Sequence, residues 1–93
     1  MTHVVFRTFG NLCSATKKNQ LELDFNGSTV QDFLAALVQE FGEDLQRLIY
    51  PGGTLSEFIF ILINGKNIDG LAGLETPIKD GDVVSVLPVT AGG

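Results

Sequence analysis

Few side chains in this sequence suit covalent or acid–base chemistry, and those few are not grouped. There is one cysteine and one histidine. Cys13 has no histidine near it in sequence and no basic helix terminus expected beside it, so it reads as a small packed or surface residue on a hairpin. His3 has no motif around it and reads as a strand-edge residue. Asp80 and Asp82 flank Gly81 as turn residues, and Glu43 and Asp44 read as solvated, so no metal site is expected. A single cysteine also excludes an internal disulfide and a cysteine-rich metal centre. What remains is the run Leu87-Pro88-Val89-Thr90-Ala91-Gly92-Gly93. A carboxylate at Gly93 is ionised at neutral pH and follows two residues without a Cβ, so it can be threaded down a narrow channel. Extended, Thr90 to Gly93 reaches about 13 Å at roughly 3.4 Å per residue. Pro88 fixes φ at the root of this segment. From about residue 89 to 93 the chain is expected to be a flexible tail, because it has no large apolar side chain to anchor it.

A working tail needs a body to present it. The 93 residues, 44% of them hydrophobic, suit a single folded domain over residues 1–93. The formal charge of −5 argues against nucleic acid. Phosphate binding needs clustered cations, whereas Arg7, Lys17, Lys18, Arg47, Lys66 and Lys79 are scattered. A protein with a basic surface is the better complement. No charged leader precedes an apolar run, and the longest apolar stretch, Phe58 to Ile63, is too short for a bilayer. A soluble cytoplasmic protein with no membrane partner is expected.

Periodicity predicts the elements. His3 to Phe9 reads as a strand. Gln20 to Phe25 alternates, with Leu21, Leu23 and Phe25 on one face and Glu22 and Asp24 on the other. The polar stretch Ser14 to Asn19 reads as the hairpin loop that joins them. Thr29 is an N-cap, Asp32 complements the first turn, and Val30, Phe33, Leu34, Leu37, Val38 and Phe41 form one helix face that ends at Gly42. Glu43 to Tyr50 suggests a short second helix before Pro51-Gly52-Gly53. Phe58 to Ile63 reads as a strand, Asn64-Gly65 as a two-residue hairpin turn and Lys66 to Ile68 as a short return. Leu71 and Leu74 look like turn plugs. Lys79-Asp80-Gly81-Asp82 is a tight turn, and Val83 to Leu87 is the last strand. The order describes an α+β domain with helix on one face of a mixed sheet.

Leu62-Ile63-Asn64-Gly65-Lys66, Ile78-Lys79-Asp80-Gly81-Asp82-Val83 and the terminal Gly-Gly together resemble the MoaD family, the small subunit of molybdopterin synthase, with ThiS and the archaeal ubiquitin-like modifiers as relatives. The segment Gly42 to Glu57 favours a MoaD-like or modifier-like member over the shorter ThiS proteins. The resemblance implies a β-grasp (ubiquitin-like) fold of about five strands with one main helix on one face. It implies a sulfur carrier rather than an enzyme in its own right. The Gly93 carboxylate, presented by Gly92, would be adenylated with ATP by a MoeB-like or ubiquitin-activating-type enzyme. It would then take sulfur from a donor such as a cysteine desulfurase. The resulting C-terminal thiocarboxylate would be the covalent cargo, passed to a pterin precursor on a MoaE-like subunit in molybdenum- or tungsten-cofactor synthesis. No cofactor would be bound by the chain itself.

Partner contacts are expected from Leu87, Pro88, Val89, Thr90 and Ala91. A further row comes from the fully apolar strand, in which Phe58, Phe60 and Leu62 face one way and Ile59, Ile61 and Ile63 the other. One main helix covers only one sheet face, so Ile59 and Ile61 are expected on an exposed interface unless the Gly42 to Glu57 segment covers them. Two further readings stay open: a modifier joined to lysines through Gly93, and a plain interaction domain.

Overall fold

The main helix starts at a reciprocal cap. Thr29 Oγ1 accepts from the Asp32 N–H at 3.2 Å, while Asp32 Oδ2 accepts from the N–H groups of Ser28 at 3.0 Å and Thr29 at 3.3 Å. These bonds serve donors that a first helical turn leaves unpaired. They also hold the Asp32 carboxyl below its usual 3.8, with the Ser28 N–H the largest cause. In this computed structural model, which describes residues 1–88, helix α2 then spans Val30–Phe41 and buries Val30, Phe33, Leu34 and Leu37. Val38 and Phe41 are half-buried, and Gln31, Gln39 and Glu40 lie on the exposed face.

Five strands make one mixed sheet: β1 Thr2–Thr8, β2 Gln20–Phe25, β3 Ile59–Ile63, β4 Lys66–Asn67 and β5 Asp82–Pro88, in the spatial order β2-β1-β5-β3-β4. β1 and β5 run parallel, and every other neighbouring pair is antiparallel. The inner face contributes Val4, Phe6, Phe25, Ile61, Val84 and Val86 to a core capped by α2. Phe33 sits at its centre, edge-on to Phe6 and Phe25 with ring centroids 5.4 and 5.3 Å away. The β3–β4 hairpin turns through Asn64 and Gly65 at φ 52° and 85°, which opposes Ile63 to Lys66. Positive φ at both positions matches the twist of the flanking strands.

Two local expectations are corrected. The link between β1 and β2 is a short helix, α1 (Asn11–Thr16), rather than a hairpin loop over Ser14 to Asn19. Leu12 and Thr16, four residues apart, are both buried and give this segment an inward face that its mixed composition conceals. Leu71 is 46% exposed and plugs nothing, whereas Leu74 packs against the core. Smaller shifts affect boundaries: Ile68 is buried at the start of a 3-10 turn instead of ending β4. The expected second helix is present as α3 (Glu43–Ile49) and buries Leu45 and Ile49. Among the described residues, no helix is long and apolar enough to cross a membrane.

Candidate functional site

The register of β3 against β5 decides which apolar row is open. Ile61 opposes Val86 and Ile63 opposes Val84, so these isoleucines share the helix-covered face. Ile61 is 3% exposed, and Ile59 is half-buried opposite Pro88. The expectation that Ile59 and Ile61 form the exposed row is therefore corrected. The open row is Phe60, 45% exposed, with Leu62 half-buried behind it; Phe58, 72% exposed, precedes β3 and lies with Pro51 and Ile59 instead. Both rows of β3 are apolar, so its own pattern carries no phase. The missing signal was Ser85 in β5, a polar residue that marks the outer face and opposes Leu62.

Leu87 lies half-buried directly opposite Phe60 on this outer face. Val83 and Val5, paired across β5 and β1, lie on the same face beyond Ser85 and Arg7. Among the described residues no helix covers this side, and an apolar band of exposed Phe60 with half-buried Leu62 and Leu87 suits a protein partner. The band thus lies against the strand that leads into the tail. Pro88, the last described residue, points to the other face of β5. It lines a small groove of about 190 Å³ with Leu12, Leu48, Pro51, Phe58 and Ile59. Gly10 allows this close approach. It has φ 62° and ψ −135°, and a Cβ there would lie 2.9 Å from Pro88 Cγ. Val89, Thr90, Ala91, Gly92 and Gly93, the other tail residues expected to work, lie outside the described residues.

His3 is not a lone edge residue. β1 is an inner strand, and register places His3 opposite Asp24. Its Nε2 meets Glu22 Oε1 at 2.7 Å and its Nδ1 meets Asp24 Oδ1 at 2.8 Å. The hydrogen bond to Glu22, then that to Asp24, raises the imidazole above its usual 6.5. Its titration followed by NMR should therefore centre above pH 6.5. The associated stability is fully present below 6.5 and is lost as pH rises through the raised midpoint. His3→Gln should remove that pH-dependent loss from thermal melts, and identical pH profiles would contradict the pairing.

Cys13 is half-buried in α1, and its thiol donates to the Thr8 carbonyl at 3.1 Å. That is the packed role expected of it, although on a helix rather than a hairpin. Among the described residues, no group of three histidine, cysteine or acidic side chains is arranged to hold a metal ion.

A model of the ThiS family matches residues 6–93. The chain belongs to the ThiS family. A protein of Archaeoglobus fulgidus assigned as a sulfur carrier is 40% identical over 82 residues, 88% of this chain and 93% of its own length. The sulfur carrier protein CysO of Mycobacterium tuberculosis is 33% identical over 76 residues, 80% of this chain and 82% of its own. Among solved structures, small archaeal modifier protein 1 of Methanosarcina acetivorans superposes with a TM-score of 0.87 at 37% identity, covering 100% of this chain and 98% of that one. The expected ubiquitin-like β-grasp is thus the fold of this ThiS-family chain.

Proposed function

We propose that this ThiS-family chain is a sulfur carrier without catalytic machinery of its own, and that it works through the carboxylate of Gly93. The observation that carries this reading is a family match running to residue 93, with Gly92 and Gly93 inside it. It is supported by an uncovered apolar face beside the strand that leads into the tail. In the proposed sequence a partner enzyme binds this face and takes the tail into its active site. The Gly93 carboxylate oxygen attacks the α-phosphorus of ATP and pyrophosphate leaves, giving an acyl-adenylate. A persulfide from a donor such as a cysteine desulfurase attacks the acyl carbon and displaces AMP. A thiol then cleaves the S–S bond and releases the thiocarboxylate. The small tail residues favour this delivery, since side chains at the last two positions would widen the segment that must be threaded.

For the acceptor we propose a pterin precursor held by a MoaE-like subunit, following the MoaD resemblance. A second reading has its own support in the likeness to small archaeal modifier protein 1. In it the same acyl-adenylate is passed to lysine amines of other proteins. Both readings share the first step. The test is ATP–pyrophosphate exchange by the adenylating enzyme of the same organism. Adding the chain should stimulate exchange, and Phe60→Asp on the uncovered face should raise the concentration of chain needed for half-maximal exchange. Exchange that does not respond to the chain would overturn the proposal.

A further inference from the structure

The sheet has a second open feature, at its β2 edge. Among the described residues β2 pairs with β1 alone, and the phase of that ladder decides which backbone groups are left over. The Thr8 N–H donates to the Asn19 carbonyl at 3.0 Å, so Thr8 and Asn19 form a hydrogen-bonded pair. Bonded and non-bonded pairs alternate along an antiparallel ladder. Phe6–Leu21 and Val4–Leu23 are then bonded, while Arg7–Gln20, Val5–Glu22 and His3–Asp24 are not. His3 gives the same phase independently. Its N–H donates to Asp80 Oδ1 at 2.8 Å and its carbonyl accepts from the Gly81 N–H at 2.8 Å, so both groups turn away from β2. The backbone N–H and C=O groups of Gln20, Glu22 and Asp24 therefore point out of the sheet at an unpaired edge, where another strand can add.

A strand added there would alternate between two different surroundings. Residues bonded to Glu22 and Asp24 would lie on the open face beside their carboxylates. One imidazolium at His3 cannot neutralise both acids, and Arg7, the other cation on this face, has its guanidinium over the Phe9 ring at 5.4 Å, so the Asp24 end of the strip stays negative. The intervening residues would lie on the helix side, against the half-buried Leu21 and Leu23. They would sit beside a groove of about 360 Å³ lined by Phe25, Ala35, Ala36, Gln39 and Glu40. The first surrounding suits cations and the second suits aliphatic side chains.

We propose that the β2 edge binds an extended segment of a partner protein in which lysine or arginine alternates with valine or isoleucine. The segment adds to the sheet as a further strand, with its cations set toward the Asp24 end because Lys17 and Lys18 precede β2 at the other. A second copy of this chain fits less well. A two-fold pairing of β2 edges centred on Glu22 or Leu23 sets carboxylates against each other, and the registers that avoid this draw in Lys18, which lies outside β2. This edge is separated by β1 from β5, the strand that leads to residue 88, and the proposal does not depend on sulfur chemistry.

The test is an NMR titration of the full 15N-labelled chain with a capped peptide of alternating lysine and valine. Two controls are the same peptide with glutamate for lysine and the same peptide with its lysine amides N-methylated. The lysine peptide should shift the amides of Gln20 to Phe25 and Ala35 to Glu40 and saturate, and both controls should bind at least about tenfold more weakly. Glu22→Lys combined with Asp24→Lys should weaken the lysine peptide to a similar degree. Equal binding of all three peptides, shifts confined to the Phe60–Leu62 face, or no saturable shift would each overturn the proposal. Concentration-dependent self-association through β2 would overturn it as well.

Discussion

Phe33→Ala should lower the free energy of unfolding by about 3–5 kcal/mol. The ring is fully buried and meets both Phe6 and Phe25 edge-on, so its loss removes the contact that ties α2 to β1 and β2 at once. A domain of this size holds roughly 5–15 kcal/mol in total, so the variant should stand near the limit of folding. Denaturant titration with an unchanged slope would measure the effect as a shift in midpoint. A loss below about 1 kcal/mol would mean that the α2–sheet core is not the main source of stability.

That core was legible in the sequence because its signals are local and redundant. Thr29, Asp32 and the apolar spacing from Val30 to Phe41 all describe the same helix, and the structure keeps its cap and its buried face. Asn64-Gly65 needs positive φ at both positions, and it has it. What failed was non-local. The six-residue run Phe58 to Ile63 is apolar on both faces, so only its pairing with β5 could say that Ile61 is inside and Phe60 outside. The His3 cluster was hidden for the same reason. Glu22 and Asp24 were read as an outward row, but nothing local links them to a histidine in the preceding strand. Helix α1 was hidden because it is short and mixed in composition, with Leu12 and Thr16 buried and Cys13 half-buried among its described side chains.

Folding and carrier activity should separate cleanly at the tail. Deleting Gly93, or replacing Gly92 with valine, should leave the melting curve unchanged, within about 0.5 kcal/mol, because a glycine brings no side chain to a core built from residues such as Phe6, Phe33 and Val86. The same variants should lower chain-stimulated ATP–pyrophosphate exchange by at least about 100-fold. Deletion moves the carboxylate out of reach of the α-phosphorus, and a β-branched side chain blocks the threaded segment. Cys13→Ala should retain full exchange, since the thiol is held against the Thr8 carbonyl inside the domain. Full exchange by the Gly93 deletion, or loss in the Cys13 variant alone, would move the chemistry away from the carboxylate.

The most direct measurement is intact mass spectrometry of the chain purified from its own cells, with fragmentation to place any change. As a sulfur carrier it should show a population in which one oxygen at Gly93 is replaced by sulfur, and this population should disappear when the adenylating enzyme is deleted. A Gly93 that carries only oxygen under every sulfur supply, or that is found only in amide linkage to lysines of other proteins, would contradict the carrier assignment.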